Sequence, residues 1–204
     1  GHHGDSEALV VLHQDYRATY RQLWGQVSLA ARGLIARGVG RGDRVGIWSP
    51  NRFEWVVIQY ATASMGAILV NINPAYRTSE LEYALRQSGV SFLMLARAFR
   101  QTDYVGMLGE VRAACPDLRE ALVFEDGWDS LLRDGAGVAD GTLDDAGARL
   151  QFADPINIQY TSVTTGFPKG RPLSPPHIPH HCFTHRATVR HPPTAPPTHP
   201  RPLP

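Results

Sequence analysis

The chain has 204 residues, of which 43% are hydrophobic and 19% are charged, an ordinary composition for one substantial globular domain or a domain with an appendage. Its net charge of +1 hides an asymmetry, because residues 1–170 contain all 19 acidic residues and only 16 of the 20 basic ones. This mildly acidic body argues against nucleic acid as the main partner.

Export and membrane insertion are not indicated by the sequence. Cys115 and Cys182 are too few for a disulfide framework, and the first residues lack the charged-then-apolar pattern of a signal peptide. The most apolar stretch, residues 55–70, is interrupted by polar residues and is shorter than the roughly 20 residues that a transmembrane helix needs. We therefore expect no transmembrane segment and a cytoplasmic location.

The first predicted elements alternate between strand and helix. Residues 8–13 form a short apolar run that predicts a strand. Thr19 and Gln22 have the spacing of a capping box, and apolar residues recur behind them at helical spacing, so a helix is predicted that ends before Gly38. The elements that follow are a strand over 44–48, a helix over 53–65 capped by Asn51, and a strand over 67–72.

The alternation continues in the next part of the chain. A helix is predicted to begin at Thr78 or Ser79 and to stop at Gly89, with a strand over 92–95 behind it. The remaining elements are a helix from about Asp103 to before Pro116, strands over 121–124 and 156–160, and a Gly/Ala/Asp-rich surface connection over 134–148. Apolar strands that alternate with helices predict a layered α/β domain over residues 1–170, with a largely parallel sheet flanked by helices.

The composition changes abruptly after Gly170. Eleven of the sixteen prolines and six of the nine histidines lie beyond it. Because each proline fixes φ and removes a hydrogen-bond donor, we predict that residues 171–204 are a disordered Pro/His/Arg-rich tail. Such a composition is also typical of a GC-rich message translated out of frame.

Residues 160–170, Tyr-Thr-Ser-Val-Thr-Thr-Gly-Phe-Pro-Lys-Gly, carry the chemical signal of the chain. A predicted strand runs into a loop of hydroxyls, glycine and one lysine, groups that surround phosphate oxygens well. The loop is not a Walker A motif, because Lys169 precedes Gly170 instead of following a glycine and preceding Ser or Thr. The residues alone indicate either a phosphate-binding loop or a polar surface loop after an edge strand.

This run resembles the signature of the acyl-adenylate-forming superfamily, Y-T-S-G-T-T-G-x-P-K-G. Residues 154–159, Asp-Pro-Ile-Asn-Ile-Gln, resemble the segment that precedes it in bacterial fatty-acid–CoA ligases. The similarity covers about residues 7–170 and includes 19–23, 38–45 and 65–74. The chain is identified as resembling the amino-terminal part of an AMP-forming acyl-CoA synthetase.

The resemblance implies a two-step ligase that uses ATP, Mg²⁺ and coenzyme A. A fatty acid carboxylate attacks the α-phosphate of ATP to give an acyl-adenylate and pyrophosphate, and the thiol of coenzyme A then displaces AMP. No catalytic residue and no metal site are assigned in the chain itself. The positions that the resemblance assigns to the ATP phosphates, where they neutralise charge on the leaving pyrophosphate, are Thr161, Ser162, Thr164, Thr165, Gly166 and Lys169.

The chain departs from the family pattern in two places. Val163 stands where the signature has glycine, and a β-branched residue is unfavourable if that position needs a positive φ or a close approach of phosphate. The family's adenine-binding, ribose-binding, hinge and catalytic-lysine motifs have no counterpart in residues 171–204. We therefore expect a truncated piece that is inactive on its own.

The sequence also allows other interpretations. A non-catalytic fragment or interaction module is the main alternative, and another carboxylate- or amino-acid-adenylating enzyme is the alternative within the superfamily. Gly38-Val39-Gly40 lacks the third glycine of a dinucleotide fingerprint. Prolines disfavour a zinc site at His177, His180, His181, Cys182 and His185. Core or core-edge positions are expected for the four tryptophans, Trp24, Trp48, Trp55 and Trp128.

Overall fold

The computed structural model describes residues 3–161 and 169–174, with the backbone alone at positions 161, 169 and 171. The strands are β1 (Glu7–Val11), β2 (Tyr16–Thr19), β3 (Arg44–Trp48), β4 (Ile68–Ile72), β5 (Val90–Leu95), β6 (Ala98–Phe99), β7 (Thr102–Asp103), β8 (Glu120–Val123), β9 (Asn157–Thr161) and β10 (Lys169–Leu173). The helices are α1 (Tyr20–Ala36), α2 (Phe53–Met65), α3 (Thr78–Ser88), α4 (Tyr104–Val111), α5 (Phe124–Ala136) and α6 (Gly141–Gly147).

Six strands form the central sheet in the order β10-β9-β4-β3-β5-β8. All neighbouring pairs are parallel except β10 with β9, which are antiparallel at one edge. The apolar side chains of α1, α2, α5 and α6 pack on one face of the sheet, and those of α3 and α4 pack on the other. The predicted layered α/β fold with a largely parallel sheet is therefore confirmed.

Local capping signals fix several of the helix ends. The side chain of Thr19 accepts a hydrogen bond from the Gln22 N–H at 3.3 Å, and the Gln22 side chain accepts from the Thr19 N–H at 2.9 Å, as the capping box predicted. Gly38 and Gly89 follow α1 and α3 with φ of 78° and 60°, a left-handed conformation that glycine adopts without strain.

The region 134–148, predicted as a surface connection, is largely helical. Helix α5 extends to Ala136 because its Gly135 lies against the backbone of α1, where a Cβ atom would stand 2.0 Å from the Leu29 carbonyl oxygen. Helix α6 forms because Leu143 is buried in the core cluster that also contains residues of α2. Both contacts join distant parts of the chain, so the local composition did not reveal them.

The edge strand β10 was also missed, and it moves the boundary predicted at Gly170. Residues 171–173, which we expected to begin the tail, pair with β9. Pro172 is tolerated there because an edge strand has one side on which no partner requires its missing N–H. The rest of the predicted tail, residues 175–204, lies outside the described residues.

Within residues 3–161 and 169–174, we find no helix with the length and hydrophobicity that spanning a lipid bilayer requires.

Candidate functional site

The two ends of the predicted phosphate-binding segment face each other in the sheet. Thr161 is the last residue of β9, Lys169 is the first residue of β10, and the two are directly paired in the antiparallel register. The structure therefore brings together the two outer positions of the predicted site. The remaining predicted positions lie outside the described residues, and they are Ser162, Thr164, Thr165 and Gly166.

The paired ends lie at the carboxyl edge of the parallel strands. Strand β9 runs parallel to β4, with Asn71 opposite Gln159, so Thr161 stands at the level where β4 has just ended. Open parallel sheets bind their ligands outside the carboxyl ends of the strands. The segment between Thr161 and Lys169 thus starts and finishes at the edge where this architecture places a ligand.

Gly170 permits the close approach of β10 to β9. It pairs with Tyr160, and a Cβ atom at this glycine would lie 3.0 Å from Ile158 Cγ2 and 3.3 Å from Tyr160 Cζ. The Tyr160 hydroxyl in turn donates to the Ala84 carbonyl of α3 at 3.1 Å. Burial raises the pKa of Tyr160 above its ordinary value, which keeps the hydroxyl protonated as a donor. The glycine next to Lys169 therefore has a packing role that sequence reasoning did not assign.

A chain of side-chain amides connects β9 to β4 and α2. Asn157 Nδ2 donates to Gln59 Oε1 at 3.3 Å, and Asn71 Nδ2 donates to Asn157 Oδ1 at 3.4 Å. Asn71 Oδ1 is buried and finds no donor among the described residues. The two amide hydrogen bonds depend on the observed register, so they help to fix the position of Thr161 at the end of β9.

The backbone that follows β4 accepts hydrogen bonds from two side chains on the face of the sheet that α3 and α4 cover. The Tyr104 hydroxyl donates to the Pro74 carbonyl at 2.7 Å, and Trp48 Nε1 donates to the Asn73 carbonyl at 3.2 Å. The two rings stack with their centroids 3.8 Å apart. Burial raises the pKa of Tyr104 to about 12, so this donor stays protonated at physiological pH. The chain beside the carboxyl end of β9 is consequently well anchored.

A partly buried ion cluster lies at the same edge of the sheet, farther from β9. Arg52 pairs with Glu54 at 2.7 Å and with Glu125 at 2.6 Å, and only 12% of its side chain is exposed. Glu125 also accepts a hydrogen bond from the Arg97 N–H at 2.9 Å. Although burial alone would raise the pKa of Glu125, its hydrogen bonds, above all the one from Arg52, bring that pKa below its ordinary value.

Sequence reasoning missed this cluster because its members are far apart in the chain. Glu54 was noted only as a helix-start residue, and the second partner of Arg52, Glu125 at the start of α5, is 73 residues away from Arg52 in the chain. Its charged groups neutralise one another beside the carboxyl ends of β3 and β8, whereas the polar residues predicted to bind phosphate follow β9 and precede β10. The sheet edge near β9 and β10 is therefore the better candidate for a ligand.

In residues 3–161 and 169–174 we find no group of three or more His, Cys, Asp or Glu side chains placed to hold a metal ion. The hydroxyls, glycine and lysine of the predicted loop suit phosphate oxygens, and Mg²⁺ commonly binds proteins through nucleotide phosphates. A magnesium ion held through nucleotide phosphates would not require a cluster of protein carboxylates.

Comparisons with known proteins agree with the geometry. The family model described as AMP-binding enzyme matches residues 1–196. A medium-chain acyl-CoA ligase, mitochondrial ACSF2 of Mus musculus, is 42% identical over 194 aligned positions that cover 83% of this chain and 31% of that protein. The putative acyl-CoA synthetase YngI of Bacillus subtilis is 34% identical and is covered to 34% of its length. The chain therefore spans about a third of the length of these curated relatives.

The solved structures include the same fold. A fatty acyl CoA synthetase of Mycobacterium tuberculosis superimposes with a TM-score of 0.68 and 26% sequence identity, over 82% of this chain and 31% of that one. The match includes the mostly parallel sheet with helices on both faces. Because the family model covers nearly all of the sequence, the chain belongs to the family of AMP-binding enzymes.

Proposed function

We propose that the protein takes part in the ATP-dependent activation of a fatty acid to its coenzyme A thioester, and that residues 161–169 hold the ATP phosphates. The observation that supports this proposal is the pairing of Thr161 with Lys169 at the carboxyl edge of the sheet. The carboxyl edge of a parallel sheet is the usual position of a ligand, and the segment that joins these two strand ends contains hydroxyls and the one lysine of the sequence. Membership of the AMP-binding family supplies the nucleotide.

The proposed chemistry needs positive charge and hydrogen-bond donors at the leaving group. When a fatty acid oxygen bonds to the α-phosphorus of ATP, the bond to the bridging oxygen breaks and negative charge develops on the pyrophosphate. Lys169 and the hydroxyls of Thr161, Ser162, Thr164 and Thr165 would stabilise that charge, while Gly166 would leave room for a phosphate oxygen beside the backbone. The coenzyme A sulfur then displaces AMP from the acyl carbon.

The names of the relatives indicate which substrate class to test first. Proteins named medium-chain acyl-CoA ligases share about 40% of aligned residues with this chain, so medium-chain fatty acids are the first substrates to test. The compartment stays a prediction, since the sequence suggested the cytoplasm and these relatives are named mitochondrial. We expect small molecules and no nucleic acid as partners.

The 204 residues by themselves are proposed to bind phosphate groups weakly and to form no acyl-CoA. They cover 31% of the length of the ACSF2 relatives, and the family motifs for adenine, ribose and the catalytic lysine were not found among them. With ATP, a medium-chain fatty acid and coenzyme A, no thioester should form. Pyrophosphate release that depends on the fatty acid and exceeds that of a Lys169→Ala variant would contradict this expectation.

A chemical-protection experiment tests the phosphate site directly, because Lys169 is the only lysine in the chain. An amine-reactive acylating reagent can modify only Lys169 and the terminal amine, and mass spectrometry separates the two products. ATP or tripolyphosphate at about 10 mM, well above a dissociation constant near 1 mM, should slow the modification of Lys169 at least about threefold. The terminal amine, far from the proposed site in sequence, is the internal control.

Two comparisons decide how the protection is interpreted. Adenosine at the same concentration should leave the rate at Lys169 unchanged, since it carries no phosphate. Thr165→Val should weaken the protection by ATP, while Thr102→Val in β7 should not, because Thr102 lies in a different hairpin. Equal modification rates at Lys169 with and without ATP and tripolyphosphate would overturn the assignment of the site.

A further inference from the structure

A small pocket lies where the turn that follows α1 meets the carboxyl-terminal end of α2 and the helix α6. Its volume is about 200 Å³. The lining residues that determine its chemistry are Ile35, Val39, Met65, Ala146, Arg41 and Arg149. None of them belongs to the predicted phosphate-binding segment or to the ion cluster around Arg52. The pocket is therefore a separate feature of the fold.

The inner wall of the pocket is apolar. Val39 and Met65 are 3% and 2% exposed, and Ile35 and Ala146 pack against the same core cluster. Apolar walls offer water no hydrogen-bond partners, so they favour a hydrocarbon group. An apolar cavity of about 150 Å³ holds a benzene ring, so a volume of about 200 Å³ suits a ligand of about eight non-hydrogen atoms.

Two arginines give the solvent side of the pocket a positive charge. Arg41 is half exposed and pairs with Asp154 at 2.7 Å, which offsets much of its charge. Arg149 is exposed, and its Nε atom donates to the Asp145 carbonyl oxygen at 3.1 Å. Within residues 3–161 and 169–174, Arg149 forms no ion pair with the exposed Asp145 carboxylate or with any other acid. Its two terminal nitrogens can therefore donate to the carboxylate of a ligand.

Helix α6 separates this pocket from a groove of the opposite charge on its other side. That groove is lined by Trp24, Asp140 and Asp144. Asp140 pairs with Arg32, but its side chain is 95% exposed, so its carboxylate faces solvent. Trp24 is 58% exposed, so the core or core-edge position predicted for it is wrong. An anionic ligand is therefore favoured on the Arg149 side of α6 and disfavoured on the Trp24 side.

We propose that the pocket binds a small amphiphilic monocarboxylate of about six carbons, with its hydrocarbon chain against Met65 and Ala146 and its carboxylate on Arg149. Hexanoate has the size that the volume allows, and its single charge complements the unpaired arginine. An alcohol of the same length lacks that charge, and an amine would be repelled by the two arginines. Because the site does not include residues 161–169, an acid can occupy it without displacing a nucleotide from the proposed phosphate site.

Methyl NMR of the full 204-residue chain, labelled at its methionines, tests the proposal. The chain has three methionines, and among them Met65 lines the pocket, whereas Met94 lies in β5 and Met107 packs on the opposite face of the sheet. Sodium hexanoate should shift the Met65 resonance in a saturable way, with half of the change at or below about 10 mM, an affinity within reach of about eight non-hydrogen atoms. The Met94 and Met107 resonances should not move. A Met65 resonance that stays unchanged up to about 50 mM hexanoate would overturn the proposal.

Two substitutions separate the contribution of the charge from that of the apolar wall. Arg149→Gln should weaken hexanoate binding at least about threefold and leave the weaker binding of hexan-1-ol unchanged. Ala146→Leu should weaken the binding of both compounds, because the added carbons take up space in the pocket. The matched controls are Arg133→Gln, at an exposed arginine of α5, and Ala148→Leu, on the other side of α6, and both should bind like the wild type. Equal affinity of hexanoate for the wild type and Arg149→Gln, or hexan-1-ol binding to the wild type as tightly as hexanoate, would contradict the assignment of a carboxylate ligand.

Discussion

The side chain of Gln14 caps the amino-terminal end of α2, a helix that begins 39 residues later in the chain. Its Oε1 atom accepts a hydrogen bond from the Phe53 N–H at 2.7 Å, and its Nε2 atom donates to Glu54 Oε2 at 2.9 Å. The first N–H groups of a helix have no partner within the helix, so one from elsewhere stabilises its start. Here the partner comes from the turn between β1 and β2 and ties that hairpin to the main domain.

Replacing Gln14 by alanine should destabilise the fold by about 1–3 kcal/mol. The change leaves the Phe53 N–H without its acceptor and removes one donor from the largely buried Glu54 carboxylate. Urea denaturation measures the free energy of unfolding, and Gln101→Ala is a suitable control because Gln101 is exposed. A loss at Gln14 no greater than that at Gln101 would show that the cap contributes nothing.

The start of α2 shows which helix ends a sequence can predict. Thr19 and Gln22 are three residues apart, and their capping box is present as predicted. Asn51 was predicted to cap α2 by the same logic, but the helix begins after Arg52 and no local side chain caps it. A capping box can be predicted from the sequence because its residues are three positions apart. The acceptor that Gln14 supplies to α2 cannot be predicted in this way, because it depends on the tertiary fold.

Helices α1 and α5 touch through two glycines, and a methyl group at either would prevent the contact. A Cβ atom at Gly135 would lie 2.0 Å from the Leu29 carbonyl oxygen, and one at Gly33 would lie 2.2 Å from the Leu131 carbonyl oxygen. Gly135→Ala should therefore cost at least about 2 kcal/mol of stability, because the backbones must separate and the packing beneath them loosens.

Gly25→Ala provides the matched control within α1. No atom lies within 4 Å of a Cβ built at this position, so the variant should gain up to about 1 kcal/mol from the better helix propensity of alanine. Thermal or urea denaturation of both variants gives the comparison. Equal stabilities of Gly135→Ala and Gly25→Ala would mean that the helices are not held this closely in solution.

The same contact explains why a surface connection was wrongly predicted over residues 134–148. Glycine, alanine and aspartate in a row suggested a surface connection, yet Gly135 serves the close approach of two helices. The parallel strands were easier to predict, since β3 is apolar from Val45 to Trp48 and is buried on both faces. Residue composition identifies buried strands well, but it does not distinguish a loop glycine from one at a helix crossing.

Glu125 should make the free energy of unfolding depend on pH in the acidic range. Its pKa is lowered from 4.5 in the folded protein, so its contribution is complete above the unfolded value and is lost as pH falls through the folded value. Glu125→Gln should lower stability at neutral pH and flatten the decline between about pH 6 and about pH 3. Urea denaturation at several pH values measures this, with the exposed Glu110→Gln as control. A decline as steep as that of the wild type would exclude a role for Glu125.

The candidate site was predictable in part. The run from Thr161 to Lys169 was recognisable because hydroxyls, glycine and lysine follow a strand, and the structure pairs its two ends. The amides of Asn71 and Asn157 and the packing role of Gly170 were not visible, since each depends on the register of β9 with its neighbours. A site formed by consecutive residues can be predicted from the sequence. A site assembled from residues of different strands depends on the tertiary structure and cannot be predicted in this way.

Val163 is expected to matter little for ATP binding by the 204-residue chain. Phosphate contacts provide only part of a nucleotide site, and the adenine and ribose motifs of the family were not found here. We expect a dissociation constant no better than about 1 mM, near −4 kcal/mol, both with valine and after Val163→Gly. In a chain extended with the family's remaining motifs, Val163→Gly should tighten binding by roughly 1–3 kcal/mol, because a β-branched residue is strained where glycine is required.

Calorimetric titration of ATP into both backgrounds, with and without the substitution, separates these contributions. A large gain from Val163→Gly in the 204-residue chain would show that the strained residue, and not the missing contacts, limits binding. The extended chain needs a matched substitution outside the loop, and Val105→Gly in α4 serves because Val105 is partly exposed at a helix surface. Micromolar binding by the unmodified 204 residues would contradict the prediction outright, since about 4 kcal/mol of further affinity would then come from contacts that the loop alone does not provide.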